Sequence, residues 1–209
     1  MPMFELIESI SRWALNVINQ SGYFGIFILS VLESAAIPIP SEVVVPFSGF
    51  LAQQSRFSFY LVVIVATIAN TVGAFVLYLI SLKGGRWILE KYGKYVLISS
   101  HELDLADRAF FKYGSKIVFI GRILPVVRTF ISIPAGLARM NFSKFILYTA
   151  LGSLPWNFIL ALIGFKAGEN WNVLSLYFRK FDFVIIGIGL GLVVWYIYSH
   201  LKQKGLNNE

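Results

Sequence analysis

Cysteine is absent from this 209-residue chain, which excludes disulfides, thiolate catalysis and thiolate metal sites. Charge is scarce as well. Charged residues make up 14% of the sequence, against about 25% in an average soluble domain. Only two histidines occur, and His101, His200, Asp104, Asp107 and Asp182 all lie outside the apolar segments. There is no G-x-S-x-G, H-E-x-x-H or P-loop, so the motifs that most often announce intramembrane or phosphoryl chemistry are missing. The chain is expected not to be an enzyme and to need no cofactor or metal. The net charge is +7, yet no basic tract with interleaved aromatics accompanies it, so no nucleic-acid partner is expected.

What is abundant is apolar. Hydrophobic residues make up 57% and aromatics 16%, the composition of an all-α integral membrane protein with room for one domain over residues 1–209. Residues 1–22 hold Glu5, Glu8 and Arg12 and lack the apolar core of a secretory signal. Residues 3–19 read instead as an amphipathic helix lying in the membrane interface. Glu5, Glu8, Arg12, Asn16 and Asn19 form its polar face.

Residues 23–53 run apolar to Leu32 and then read ESAAIPIPSEVVVPFSGFLA. A full span needs about 20 residues, and Pro38, Pro40 and Pro46 interrupt this one. Proline removes a donor and disfavours helix in the residue before it. The segment is expected to be a re-entrant hairpin folding back at Ile37–Pro40, with Ser41 capping the returning helix.

Residues 57–82 are an uninterrupted span. Residues 83–116 are a polar, cytoplasmic amphipathic segment with seven basic and four acidic residues, and Ser99 and Glu102 fit a capping box. Residues 117–138 form a second broken segment, interrupted by Pro125 and Pro134. Residues 145–165 span again, with Pro155 as a kink. Residues 183–199 make a last short span, whose Gly187, Gly189 and Gly191 permit close helix approach or a dimer. Tyr23, Trp87 and Trp171 read as interface anchors.

The two broken segments resemble each other. One closes on Pro46-Phe-Ser-Gly-Phe-Leu-Ala, the other on Pro134-Ala-Gly-Leu-Ala. Phe57-Ser58 and Phe142-Ser143 follow, and each subsequent span ends in Lys-x-Gly, at Lys83 and Lys166. With 83–116 inside, the predicted inside segments hold eleven basic residues and the outside ones five, as the positive-inside rule requires. The expectation is an inverted repeat of hairpin plus span, a transporter design with its site at the repeat interface.

Four charges sit within the broken segments: Glu33 and Glu42 in the first, Arg122 and Arg128 in the second. A charge at the bilayer centre costs about 2.5–3.5 kcal/mol on insertion scales. On unbroken helices the members of each pair would diverge, whereas a fold at Pro38–Pro40 or at Pro125 turns both toward one cavity. Arginine keeps its charge, and its planar fork fits phosphate bidentately. A helix starting at Ser41 adds a partial positive charge. The arginines are thus candidates for anion binding, and the glutamates for counter-ions or proton coupling. The bland alternative is a set of structural salt bridges. Trp156 and Asn157, beside Pro155, are weaker candidates for the cavity wall, and Asn70 and Thr71 for cross-helix hydrogen bonds.

E-x₄-P-x-P-S-E (Glu33, Pro38, Pro40, Ser41, Glu42) and G-R-x-x-P-x-x-R-T (Gly121, Arg122, Pro125, Arg128, Thr129), followed by Pro134-Ala-Gly136, together resemble the DedA family of bacterial membrane proteins, related to the VTT or SNARE-associated domains. The resemblance covers about residues 20–200. It implies two opposed re-entrant hairpins and lipid translocation in the bacterial cytoplasmic membrane, in a multi-pass protein. The substrates it implies are undecaprenyl phosphate or another phospholipid with a phosphate head group, with protons as coupling ions in some members. It places essential acidic positions on Glu33 and Glu42 and arginines on Arg122 and Arg128, with Pro38, Pro40, Ser41, Pro125, Thr129, Pro134 and Gly136 at the hairpin tips. Many members carry an aspartate after Pro-Gly where this chain has Pro40-Ser41-Glu42. A proton- or ion-coupled transporter of a small anion would use the same charges, and an assembly protein is a further class.

Overall fold

The computed structural model describes residues 2–37, 41–96, 114–124 and 127–167, without the side chains of residues 2–8, 10, 11, 41, 42 and 85–96. The expected span at 183–199, the Ser99–Glu102 cap and the tips Pro38, Pro40 and Pro125 lie outside the described residues. Within them the structure is helical, with no strand: α1 (Pro2–Ser21), α2 (Tyr23–Ser34), α3 (Ser41–Gln53), α4 (Phe59–Val96), α5 (Lys116–Ile123), α6 (Val127–Phe130), α7 (Ser132–Leu137) and α8 (Phe142–Ala167).

Two stretches, Phe59–Gly84 in α4 and Phe142–Ala167 in α8, are 26 residues each and apolar enough to cross a membrane. At 1.5 Å per residue each reaches about 39 Å, more than the ~30 Å hydrocarbon core. Large apolar side chains face outward along them while several polar ones are buried beside the apolar core. Leu61, Ile64, Ile68, Val72, Val76 and Ile80 are exposed along one face of α4, while Thr67, Asn70, Thr149, Ser153 and Asn157 are buried. An outward apolar stripe at helical spacing over an interior that holds polar groups suits lipid as the outer solvent.

Helix α4 does not end where the apolar run does. It continues to Val96, 38 residues in all, into the segment expected to be a separate polar stretch. Loss of hydropathy at Lys83 marks where apolar surroundings end, and with no proline from Phe59 to Val96 nothing stops the backbone there.

The two broken segments do break. Chain α2 ends at Ser34, and Ala36 adopts a left-handed φ of 68° before α3 begins at Ser41. The second segment is in three pieces rather than two arms. It breaks after Ile123 and again at Ile131. Pro134 cannot donate to the Phe130 carbonyl and its ring crowds that oxygen, which accounts for the second interruption.

The halves interlock. Helix α2 packs on α4 and α5 on α8, while α3 packs on α8 and α7 on α4. Two glycines mark the crossed contacts. A Cβ on Gly49 would strike the Ala161 carbonyl, and one on Gly136 the Tyr78 carbonyl. At the end of α1, Arg56 donates from Nη1 to Asn19 Oδ1 (2.8 Å) and from Nη2 to Asn19 O (2.6 Å). The Ser58 amide donates to the Tyr23 hydroxyl (2.6 Å), so Tyr23 is tied to the start of α4.

Gly49→Val forces a β-branched side chain against the backbone of α8. Overpacking of this kind costs about 1–3 kcal/mol, and a lower unfolding midpoint of the detergent-solubilised protein checks it. An unchanged midpoint would mean that α3 and α8 are not in backbone contact.

Candidate anion site between the broken helices

Three of the four charges singled out in the sequence have described side chains, and the structure brings them together. Arg122, Arg128 and Glu33 are 2%, 6% and 7% exposed. Arg128 donates from Nη2 to Glu33 Oε1 in a buried ion pair joining α6 to α2. The Arg128 guanidinium also lies over the Trp156 ring, 5.4 Å from its centroid, within cation–π range. Arg122 donates from Nη2 to Ser132 Oγ at 2.6 Å, and its Nε, also buried, has no hydrogen-bond partner among the described residues. Glu42 lies in the first turn of α3, its side chain outside the described residues. Ser41 is the first helical residue of α3, and its proposed cap likewise lies outside the described side chains.

Helix α8 sets the spacing of the arginines. A Cβ on Gly152 would come within 2.6 Å of Arg122 Cβ and 2.8 Å of the Phe119 carbonyl, so α5 rests directly on α8 at that point. Trp156, one turn further along the same face, meets Arg128. On a single helix, residues six apart point about 120° from each other. Helix α5 ends at Ile123 and α6 starts at Val127, which removes that constraint and lets both arginine side chains meet one face of α8. On the other side, a Cβ on Gly73 of α4 would strike the Val31 carbonyl and approach Ser34 Cβ (2.8 Å), which seats Glu33. Gly73 and Gly152 each fall within three residues of the midpoints of the two 26-residue stretches, so the charges gather at mid-length.

The remaining named positions serve the backbone around this cluster. Thr129 lies on α6 between Arg128 and Phe130, partly buried. Pro134 interrupts the helix before α7, and Gly136 makes the contact with Tyr78. Beside the arginines, Asn70 Nδ2 donates to Asn157 Oδ1 (3.2 Å) and Asn157 Nδ2 donates to Thr67 Oγ1 (3.2 Å). Asn70 therefore bonds across helices. Thr71 does not: its hydroxyl donates to the Thr67 carbonyl of its own helix (2.8 Å), because a threonine hydroxyl reaches its own preceding turn readily.

The sequence alone does not single out Ser132, and it offers Trp156 only as a weaker candidate for the cavity wall. A serine in an apolar run has no periodic signature. For Trp156 the available signal was its place one turn from Gly152 on the small-residue face of α8.

A profile of the VTT domain matches residues 39–166. Undecaprenyl phosphate transporter A of Bacillus subtilis (strain 168) is 39% identical over 170 residues, 81% of this chain and 82% of that protein. The uncharacterized membrane protein YkoX of the same organism is 36% identical over 203 residues, 97% of this chain and 89% of that protein. A protein of Lactococcus lactis subsp. cremoris (strain MG1363) named alkaline phosphatase-like protein is 34% identical over 184 residues, 86% of each. No solved structure matches at the significance these relatives reach.

Magnitudes separate the ion pair from the amide cluster. Glu33→Gln takes the carboxylate charge away from the buried Arg128 guanidinium, and breaking comparable buried pairs costs about 3–5 kcal/mol. Asn157→Leu removes two interhelical hydrogen bonds, each worth on average about 0.6 kcal/mol in a membrane. Unfolding in mixed micelles should therefore show Glu33→Gln as the more damaging change. The reverse order would move the stabilising contact away from the arginines.

Proposed function

We propose that this chain, which belongs to the DedA family of membrane proteins built on the VTT domain, carries undecaprenyl phosphate, or another phospholipid, across the bacterial cytoplasmic membrane. The observation that carries the reading is Arg122. Its guanidinium is buried at mid-length of two apolar helices, and its bonded partner among the described residues is a neutral hydroxyl. Burying a charge costs several kcal/mol unless an opposite charge compensates. A phosphate head group is the complement, and a relative named for undecaprenyl phosphate transport supports that choice.

The two halves form an inverted repeat in this proposal, with each broken segment dipping into the membrane and returning to its own side. The crossed contacts support it. Gly49 of the first half meets Ala161, five residues before Lys166, and Gly136 of the second meets Tyr78, five residues before Lys83. Equivalent glycines thus meet equivalent places on opposite spans, the pattern a pseudo-twofold axis produces. The site then lies near the midplane, between hairpins that open to opposite faces.

In the mechanism, the lipid head group enters sideways and its tail stays in the hydrocarbon. Arg122 receives the phosphate first, since Arg128 is engaged with Glu33. Phosphate then competes with the Glu33 carboxylate for Arg128. Protonation of Glu33 would weaken the pair and favour that exchange, giving a route for coupling to protons, with Glu42 as a second acidic group near the tip. Release restores the Arg128–Glu33 pair. A phosphatase reading is weaker. The Ser132 hydroxyl beside Arg122 is bonded by a guanidinium, which is a donor only and cannot act as a general base.

The test is reconstitution of the full chain into vesicles with undecaprenyl phosphate, phosphatidylethanolamine or a small phosphate anion as alternative cargo. Lipid should change leaflet and the soluble anion should stay put. Arg122→Lys keeps the charge but loses the bidentate fork, and should slow lipid exchange at least about tenfold. Passage of the soluble anion alone would replace a lipid carrier with an ion transporter. Full activity of Arg122→Lys would remove the arginine from the site.

A further inference from the structure

Three buried donors around the arginines have hydrogens with no acceptor among the described residues. There Arg122 Nε has no hydrogen-bond partner, and neither has the Trp156 indole nitrogen. Ser132 Oγ is fully buried and accepts from Arg122 Nη2. That bond uses one of its lone pairs and leaves its proton uncommitted among the described residues. A buried donor left unmade carries a desolvation penalty, and native interiors rarely keep one without a reason. Here three occur in one neighbourhood. Ser132 touches Arg122, Arg122 rests on Gly152, and Trp156 lies one turn from Gly152 with its ring over Arg128.

An acceptor with several oxygens satisfies all of them at once. We infer that Ser132 and Trp156 belong to the binding site as neutral donors to the ligand, and that they tune it for a phosphate monoester over a phosphodiester. The inference rests on the lipid-carrier reading above and adds a substrate class and two residues to it.

The chemistry follows from oxygen count. A monoester presents three terminal oxygens and carries a charge of about −1.5 to −2 at neutral pH. A diester presents two terminal oxygens and one charge. The donors available are the Arg122 fork, the Ser132 hydroxyl, the Trp156 N–H and, once Glu33 lets go, the Arg128 fork. A monoester can take the serine and indole donors on separate oxygens while the arginines hold the charge. A diester leaves part of this set unmade. A site built around such donors discriminates against the ligand that cannot fill them. Trp156 therefore has two functions on two faces of one side chain. Its ring face steadies Arg128, and its edge presents the N–H.

The experiment separates these functions. Trp156→Phe retains an aromatic face for Arg128 and deletes the N–H. Ser132→Ala deletes the hydroxyl on a different helix. The wild-type chain and both variants are reconstituted in full length with either undecaprenyl phosphate (a monoester) or phosphatidylglycerol (a diester). The half-saturating lipid fraction and the maximal exchange rate are measured for each, with the unfolding midpoint of the lipid-free protein as a control. Wild type should prefer the monoester. Each variant should raise half-saturation for the monoester about tenfold, the effect of losing a hydrogen bond to a charged group. Half-saturation for the diester should stay near wild type, so the preference narrows, and the midpoints should not move.

Equal losses for both lipids would mark a structural role and overturn the inference, as would wild-type half-saturation in the variants. If one variant fails to fold, the other decides alone, because the two residues sit on separate helices. A wild-type protein that moves neither lipid sinks the carrier reading along with the inference. A wild-type protein that moves the monoester while both variants match it sinks the inference only.

Discussion

A guanidinium that cannot reach water governs the interior of this protein. Arginine does not escape burial by losing its proton, so its surroundings must supply compensation. Arg128 has it in full: a carboxylate from α2 on its edge and an aromatic ring against its face. Arg122 has a serine hydroxyl, which offers a dipole where a charge is called for. The two arginines are chemically alike and electrostatically unequal. In the proposed carrier that difference in bonded partner orders events, because the carboxylate on Arg128 must be displaced and the hydroxyl beside Arg122 need not be.

Bringing these groups together is the task of the helix breaks and of the glycines opposite them. A continuous helix would aim Arg122 and Arg128 in different directions. The interruption between Ile123 and Val127 re-aims one relative to the other, and α8 then fixes their separation with Gly152 under the first and Trp156 under the second. Gly73 does the matching work on α4, letting the end of α2 come close enough to deliver Glu33. Either glycine replaced by a larger residue would push a charged helix end off its partner, so backbone proximity and electrostatics are a single constraint here.

Much of this was legible in the sequence, for physical reasons. Four charges in otherwise apolar runs stand out because burying them is expensive, and prolines flanking them say where a helix cannot continue. The paired motifs at Gly49 and Gly136, and at Lys83 and Lys166, were visible as a repeat, although only coordinates reveal that the glycines touch opposite spans. Other features had no local signal. The helix running on to Val96 was hidden because hydropathy reports surroundings and not backbone continuity. Ser132 gained its role from the break that lies between it and Arg122, ten residues upstream, and a lone serine in an apolar stretch says nothing of that. Asn70 was read correctly as a cross-helix donor, but its neighbour Thr71 satisfied itself within its own turn, an outcome that residue type leaves open.

The outward apolar faces of α4 and α8 bear on what kind of cargo such a site can serve. Their outer faces are apolar along the length that matches a bilayer core, and their inner faces carry amides and hydroxyls beside small and apolar residues, with the charges of α2, α5 and α6 gathered against them near mid-length. A lipid crossing a membrane does not need its tail moved out of hydrocarbon, and each methylene drawn into water would cost about 0.8 kcal/mol. The barrier sits in the head group, whose charge has no counterpart between the leaflets. A protein that lowers this barrier need not enclose the whole molecule. It needs a compensating charge at the midpoint, donors for the phosphate oxygens, and an edge where the tail remains in lipid. Arg122 beside Ser132 places a buried cation and a hydroxyl at that midpoint, which is what the proposed carriage of a phosphate head group asks of the protein.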